Sequence, residues 1–230
     1  MGSLSTPFPR SKVLLFGSQA LNLEDSLDSL RSTLLNTPDF QWARDAVVDL
    51  PNCWETVTND ITTLQKYPGV KILADLKNWL VTGTFEQTPL PLPNIVLTPL
   101  VVIIHLTQYW QYLQQSRQNL SQHDDLHACF THDAETLGLC TGLLSAAAVS
   151  SSKSEAELKH YGAVAVRLGM LIGGVIDAQD ISTDLEGESK SFSIVWKSPE
   201  LGADVDRILK ASSGVIGHFH FETPFYSILT

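Results

Sequence analysis

The sequence predicts one α/β domain, and three observations lead to this class. An apolar segment, Lys12 to Gly17, ends in a glycine and indicates a short buried strand. Leucines then recur at helical spacing from Leu23 to Leu34, so a helix follows the first turn. A second strand, turn and helix are indicated over Leu137 to Ala148. Strands that alternate with helices favour a parallel sheet covered by helices.

The composition predicts one globular unit over 12–230, preceded by a loose Ser/Pro-rich arm over 1–11. The chain has 230 residues, 43% of them hydrophobic, which is enough for a sizeable core. The net charge of −10 argues against a nucleic acid or an anionic membrane as partner. No apolar run is long enough for a membrane span, since Ile95 to Leu106 is interrupted by polar residues and a proline. Three widely spaced cysteines and no amino-terminal leader pattern favour a reducing, cytoplasmic location.

The first half of the chain is predicted to be largely helical. Asn22 is expected to cap the first helix. Pro51 and Pro68 are expected to end helices, because proline lacks the backbone N–H and its ring crowds the preceding turn. A linker rich in Thr and Pro is expected over Gly83 to Pro93. The predicted helices are Leu23 to Leu35, Asp39 to Leu50, Asn52 to Tyr67, Val70 to Val81 and Thr98 to Leu113.

The second half is predicted to contain one long helix and then shorter elements. The long helix runs from Glu155 to Val175, capped by Ser152 or Ser154, and is followed by a charged, exposed loop over Asp180 to Ser191. The later elements are a strand over Phe192 to Trp196, a helix over Leu201 to Leu209 and a strand over Gly214 to Phe221 that carries two histidines.

The cysteine at the second strand–helix turn is the strongest candidate for chemistry. Cys140 lies between Gly138 and Gly142, a spacing that suits a sharp turn presenting a nucleophile. The positive end of the following helix would lower the pKa of a thiol placed there. The alternative interpretation is that Cys140 is a small buried hydrophobic residue.

A group of potential metal ligands precedes this turn. His127, Cys129 and His132, with His123 just before them, match no established ligand spacing. We therefore expect no metal site, and interpret the segment from Asp124 to Ala134 as a polar loop.

Four segments resemble a known family, the starter-unit acyl-carrier-protein transacylase (SAT) domain at the amino terminus of fungal non-reducing polyketide synthases. Leu137 to Val149 carries its most specific pattern, L-G-x-C-x-G-L-L-x-A-x-A-V. The other three segments are Leu14 to Gln19, Thr98 to Tyr109 and Tyr161 to Gly169.

The resemblance implies an α/β-hydrolase-like acyltransferase core that carries a ferredoxin-like subdomain. Only 80 residues separate Cys140 from His220, so we expect that subdomain to be largely missing and the domain to be shortened. The implied reaction transfers a starter acyl group, from acyl-CoA or an upstream synthase, to the phosphopantetheine thiol of an acyl carrier protein through a cysteinyl thioester. No cofactor is implied besides these thioester substrates.

The resemblance also assigns roles to residues. Cys140 would be the nucleophile and His220 the base, with His218 as the alternative base or a substrate-binding residue. The backbone N–H of Thr141 and the turn at Gln19 would form the oxyanion hole. Arg167 would bind substrate, or would pair with an acid such as Glu135 or Glu157. His220 could equally be a packed or solvated histidine, and Gln19 an ordinary exposed turn residue.

Three functions remain open from the sequence. The first is the acyltransferase. The second is a weak or inactive remnant that only docks a carrier protein, to which a basic patch of Lys153, Lys159 and Arg167 could contribute. The third is a Cys-dependent thioesterase unrelated to polyketide synthesis.

Overall fold

The computed structural model describes residues 12–18, 24–88, 91–115 and 134–183, and Arg207 beyond them. The chain divides into two units, Met1–Gly187 and Glu188–Thr230. All elements described below belong to the first unit. The predicted arm, the histidine-containing loop before Ala134 and the predicted elements over 192–196, 201–209 and 214–221 lie outside the described residues, apart from Arg207, which is helical.

The two described strands form a parallel sheet. Strand β1 is Lys12–Phe16 and strand β2 is Ala134–Gly138, paired from Lys12 with Ala134 to Phe16 with Gly138. The side chains of Leu14 and Phe16 pack toward the helical core, whereas those of Val13 and Leu15 are exposed. The regular elements of the described part are otherwise helical, so this sheet confirms a mixed α/β fold.

The helices of the described part have the following bounds. They are α1, Glu24–Asn36; a 3-10 turn, Pro38–Phe40; α2, Gln41–Thr58; α3, Thr62–Gln65; α4, Gly69–Thr82; α5, Asn94–Gln115; α6, Gly142–Ser151; and α7, Glu155–Thr183. The predictions for β1, α1 and α4 are confirmed to within two residues at each end. The predicted strand, turn and helix around Cys140 are also confirmed.

The predicted helix break at Pro51 is wrong, because α2 continues through that proline. A proline inside a helix costs about 3 kcal/mol. Here the buried stripe of Val47, Leu50 and Trp54 continues across it, and burial of these side chains offsets the cost. The chain turns instead at Asn59 and Asp60, so the single helix expected over Asn52 to Tyr67 is the end of α2 followed by the short α3.

Helix α5 begins four residues before its predicted start at Thr98, and Pro99 lies inside it. The cause is a carboxylate from another helix. Asp177 of α7 accepts hydrogen bonds from the backbone N–H groups of Asn94 (3.0 Å) and Ile95 (2.8 Å). It also accepts from the Asn94 side chain (2.8 Å) and the Tyr67 hydroxyl (2.9 Å). The helix end is thus capped by a residue more than eighty positions away, which no local pattern predicts.

The most extensive contact between helices is that of α5 with α7. Gly173 on α7 permits it, since a Cβ there would overlap the backbone at Asn94. The neighbouring Gly174 permits the contact of α7 with α2, because a Cβ there would overlap the Trp54 ring. Ser154 caps α7 by accepting the N–H of Glu157 at 3.2 Å. Helix α7 ends eight residues later than predicted, so residues 180–183, which were assigned to a loop, are helical.

Part of α7 meets the length and composition of a membrane span. Within Glu155–Gln179, the most apolar stretch of 18 residues has a mean hydropathy of 1.4, and 39% of that stretch is buried. Charged and polar residues interrupt it, so no continuous apolar run in the sequence indicates it. The contacts of α7 with α2, α5 and α6 are those of a core helix.

Two charged side chains connect α4 to neighbouring segments by hydrogen bonds. At its carboxyl end, the Arg31 guanidinium donates to the carbonyl oxygens of Trp79 (3.1 Å) and Leu80 (3.0 Å). Near its middle, the buried carboxylate of Asp75 accepts four hydrogen bonds from the loop that follows: three from the backbone N–H groups of residues 86–88 and one from the Thr88 hydroxyl. Burial raises the pKa of Asp75, but the four hydrogen bonds together lower it by more than burial raises it. The pKa of Asp75 therefore lies below its usual value.

Candidate functional site

The turn between β2 and α6 holds Cys140 in a strained backbone conformation. Its φ is +55°, the one positive φ at a non-glycine position among the described residues. A side chain in this left-handed region costs about 1–3 kcal/mol and persists only where neighbouring structure enforces it. Such outliers concentrate at functional sites. The Gly138-x-Cys140-x-Gly142 segment thus forms the sharp turn between a strand and a helix that its spacing predicts.

The two glycines are required because backbone passes directly over both. A Cβ on Gly138 would overlap the backbone of Leu143, and one on Gly142 would overlap the carbonyl oxygens of Phe16 and Gly17. Three hydrogen bonds fix the turn. The N–H of Leu139 donates to Phe16 O (2.9 Å), that of Gly142 to Leu139 O (2.9 Å) and that of Leu143 to Cys140 O (3.0 Å).

The thiol of Cys140 is free and the residue is exposed. The interpretation of Cys140 as a small buried hydrophobic residue is therefore wrong. Its Sγ lies 3.9 Å from the Oγ1 of Thr141. Cys140 itself is two residues before Gly142, the first helical residue of α6.

The second described cysteine is also free but differs from Cys140 in its exposure and its hydrogen bonding. Cys53 is half-buried on α2 and donates to the Asp49 carboxylate at 3.2 Å. Burial and the neighbouring Asp49 carboxylate raise the pKa of the Cys53 thiol, which keeps it protonated.

A cavity of about 330 Å³ lies between the end of β1 and the second half of α5. The Phe16–Gly17 segment forms part of its wall and also passes over Gly142, so this segment borders both the cavity and the Cys140 turn. Its polar wall is made by Ser18, His105 and Gln108. The remaining lining residues are Leu14, Leu15, Phe16, Gly17, Tyr109 and Tyr112.

His105 in this wall was not identified from the sequence. It stands alone in the apolar run of α5, where the one available signal was a titratable residue on a buried helix face. Its Nδ1 lies 3.1 Å from the Oγ of the fully buried Ser145 on α6. Its ring centroid lies 5.8 Å from that of Phe16. Burial lowers the pKa of His105, which favours the neutral imidazole.

Arg167 is paired with an acid that the sequence analysis did not name. Its Nη2 lies 3.3 Å from the Asp49 carboxylate, so the expected partners Glu135 and Glu157 are not the ones found. Its Nε is buried without a hydrogen-bond partner. Lys159 forms an ion pair with Glu155 at 2.6 Å. Two cations of the suggested basic patch are therefore already neutralised by carboxylates.

The remaining predicted site residues have separate outcomes. Thr141 lies at the start of α6 and is buried. Gln19, His218 and His220 lie outside the described residues, as do His123, His127, Cys129 and His132. Within the described ranges, no group of three or more His, Cys, Asp or Glu side chains could hold a metal ion.

Comparison with known proteins adds a family to this geometry. A family model described as starter unit:ACP transacylase in aflatoxin biosynthesis matches residues 14–211. The chain is 45% identical over 205 residues to the non-reducing polyketide synthase pigA of Monascus ruber, and 42% identical over 210 residues to the clavatol synthase claF of Penicillium crustosum. It is 39% identical over 202 residues to the citrinin polyketide synthase of Monascus ruber.

These alignments cover 89%, 91% and 87% of the chain and 8% of each relative. The chain thus spans less than a tenth of the length of the curated relatives it matches. The family model covers most of the chain and includes the last three residues of β1, all of β2 and the Cys140 turn. The chain therefore belongs to the starter unit:ACP transacylase (SAT) family of fungal non-reducing polyketide synthases.

Proposed function

We propose that this domain is an acyltransferase that loads a starter acyl group onto an acyl carrier protein through a thioester on Cys140. The observation that carries the proposal is the exposed thiol of Cys140 in a left-handed turn, held between two glycines that admit no side chain. An exposed thiol just ahead of a helix is accessible to a bulky thioester.

The reaction consists of two thioester exchanges. His220, or alternatively His218, removes the proton from the Cys140 thiol, and the thiolate attacks the carbonyl carbon of the acyl thioester. The bond from that carbon to the donor sulfur breaks, and the departing thiolate of coenzyme A, or of the upstream synthase, takes the proton. The phosphopantetheine thiol of the carrier protein then attacks the carbonyl carbon of the acyl-enzyme, and the bond from that carbon to the Cys140 sulfur breaks. The proton of the attacking thiol passes through the histidine to the Cys140 thiolate.

The tetrahedral intermediates carry a negative oxygen that needs backbone or side-chain donors. We assign these to the N–H of Thr141, the residue after the nucleophile, and to the turn at Gln19. The N–H of Thr141 is the stronger candidate of the two, because Thr141 lies at the amino terminus of α6, where the peptide dipoles also favour an anion.

The finer fold assignment belongs to the same proposal. The parallel strands and the strained Cys140 turn at the carboxyl end of β2 fit an α/β-hydrolase-like core. Free thiols at Cys53 and Cys140 fit a cytoplasmic location. A starter acyl chain is usually neutral, so the pairing of Arg167 with Asp49 is compatible with this substrate class.

The experiment incubates the full chain with hexanoyl-CoA as a probe and measures the intact protein mass. We expect one acyl adduct, mapped to the peptide that contains Cys140 and absent from Cys140→Ala. Cys53→Ala is the matched control, because that thiol is half-buried and hydrogen-bonded to Asp49. It should acylate like the parent chain.

Addition of a phosphopantetheinylated carrier protein separates the proposal from its alternatives. Movement of the acyl group from Cys140 to the carrier protein supports the transferase. Release to water without transfer supports a thioesterase. A folded chain that forms no adduct but binds the carrier protein is a docking module, and the proposed catalytic role is then wrong.

A further inference from the structure

A buried polar pair joins the helix before the nucleophile turn to the helix after it. His105 on α5 and Ser145 on α6 are 40 positions apart, and the His105 Nδ1 and Ser145 Oγ atoms are 3.1 Å from each other. Both residues are buried, with exposed fractions of 6% and 0%. Neither is needed for the reaction proposed above, in which Cys140 and a histidine of the carboxyl-terminal segment take part.

The same imidazole also contacts the first strand. The His105 ring packs at 5.8 Å, centroid to centroid, on Phe16. The carbonyl oxygen of Phe16 accepts the N–H of Leu139, and the same carbonyl lies directly against Gly142. His105 therefore contacts both the strand that supports the turn and the first full turn of α6, five residues after Cys140.

We propose that His105 is a positioning residue, whose hydrogen bond to Ser145 and packing on Phe16 fix α6 against β1 and so hold Cys140 in its reactive conformation. The left-handed conformation of Cys140 is strained and must be enforced by its surroundings. A buried, satisfied hydrogen bond at the start of α6 is suited to this purpose, because breaking it leaves a polar atom without water. The proposal takes from the proposed function only the identity of the reactive thiol.

The test measures thiol reactivity, so it does not require acyl transfer. The full chain is treated with iodoacetamide, and alkylation of the peptides containing Cys140 and Cys53 is followed over time by mass spectrometry. Ser145→Ala removes the hydroxyl from an alanine-rich helix with little change in volume. His105→Leu removes the nitrogen. His105→Asn keeps a polar atom at the same number of bonds from the backbone as Nδ1.

We expect Ser145→Ala and His105→Leu to slow alkylation of Cys140 by about fivefold or more, the ratio that corresponds to one net hydrogen bond. The rate falls because Cys140 is already exposed, so a looser turn uncovers no more of its thiol but removes the fixed conformation that presents it. His105→Asn should recover part of the rate. Cys53 on α2 should react at the parent rate in every variant.

Matched controls lie on α6 and α7. Ser150→Ala changes an exposed serine of α6, and His160→Leu changes an exposed histidine of α7. Both should alkylate like the parent chain. The proposal is overturned if Cys140 keeps its parent rate of alkylation in Ser145→Ala, or if His105→Asn is no faster than His105→Leu. It is also overturned if alkylation of Cys53 becomes faster in these variants, which would indicate general loosening. Failure of the acylation experiment with a positive result here would refute the proposed function and leave the positioning role intact.

Discussion

The backbone N–H of Leu139 donates to the carbonyl oxygen of Phe16 at 2.9 Å. This hydrogen bond joins the Cys140 turn to the end of the neighbouring strand β1. The same carbonyl lies against Gly142, which leaves no room for a side chain there. The strained conformation of Cys140 is thus enforced from β1 as well as from the turn itself. This relationship makes the turn sensitive to the smallest substitutions at its flanks.

Gly142→Ala should distort the turn, because the added methyl group overlaps the carbonyl oxygens of Phe16 and Gly17. We expect a loss of about 1–3 kcal/mol in the free energy of unfolding, typical of overpacking, together with loss of Cys140 acylation. Urea denaturation and acyl-adduct mass measure the two effects. Gly17→Ala is the control, since a Cβ there meets nothing within 4 Å. Equal free energies of unfolding for Gly142→Ala and Gly17→Ala would show that Gly142 has room for a side chain, contrary to this prediction.

His220→Ala should reduce acyl transfer by about 10²-fold or more through loss of general base catalysis. The rate of transfer from hexanoyl-CoA to the carrier protein is the measurement. His218→Ala serves as the comparison and should retain most of the rate. If His218→Ala shows the larger loss instead, the base is His218 and the assignment of His220 is wrong by two positions.

Asp177→Ala should destabilise the fold by about 2 kcal/mol or more, because it removes the cap of α5 and leaves the Tyr67 hydroxyl without its acceptor. Burial and the Asp177 charge also raise the pKa of Tyr67, so this phenol stays protonated as a donor.

The control is Asp49→Ala, which breaks an ion pair whose side chains are about 40% exposed and should cost about 1 kcal/mol or less. Urea denaturation of the two variants at neutral pH makes the comparison. A cost for Asp177→Ala no greater than that for Asp49→Ala would show that α5 does not depend on this cap.

Asp75 should contribute a pH-dependent part of the stability. Its pKa is lowered in the folded chain, so the unfolded state binds the proton more tightly. The contribution is fully present above the unfolded pKa of about 3.9 and is lost as the pH falls through the lower, folded value.

The measurement is the difference in unfolding free energy between the parent chain and Asp75→Asn, from urea titrations at pH 7 and at successive steps below pH 4. The difference should shrink as the pH falls. If it stays constant down to the lowest pH at which the chain folds, protonation of Asp75 does not weaken its hydrogen bonds to the loop over residues 86–88.

Local rules explain which predictions the structure confirms. The glycines flanking Cys140, the apolar run of β1 and the leucines of α1 each determine conformation through neighbours within a few positions, so their pattern is visible in the sequence. The family resemblance depends on the same short segments. The sequence alone therefore determined the α/β class and the candidate nucleophile.

Contacts between distant residues decided the rest. Helix α5 begins at Asn94 because Asp177 caps it from α7, α2 passes Pro51 because its buried stripe continues, and Arg167 pairs with Asp49 across 118 positions. The bond between His105 and Ser145 likewise exists only once α5 and α6 are packed. Each of these depends on which surfaces meet in three dimensions, and a one-dimensional pattern of apolar spacing carries no information about that pairing.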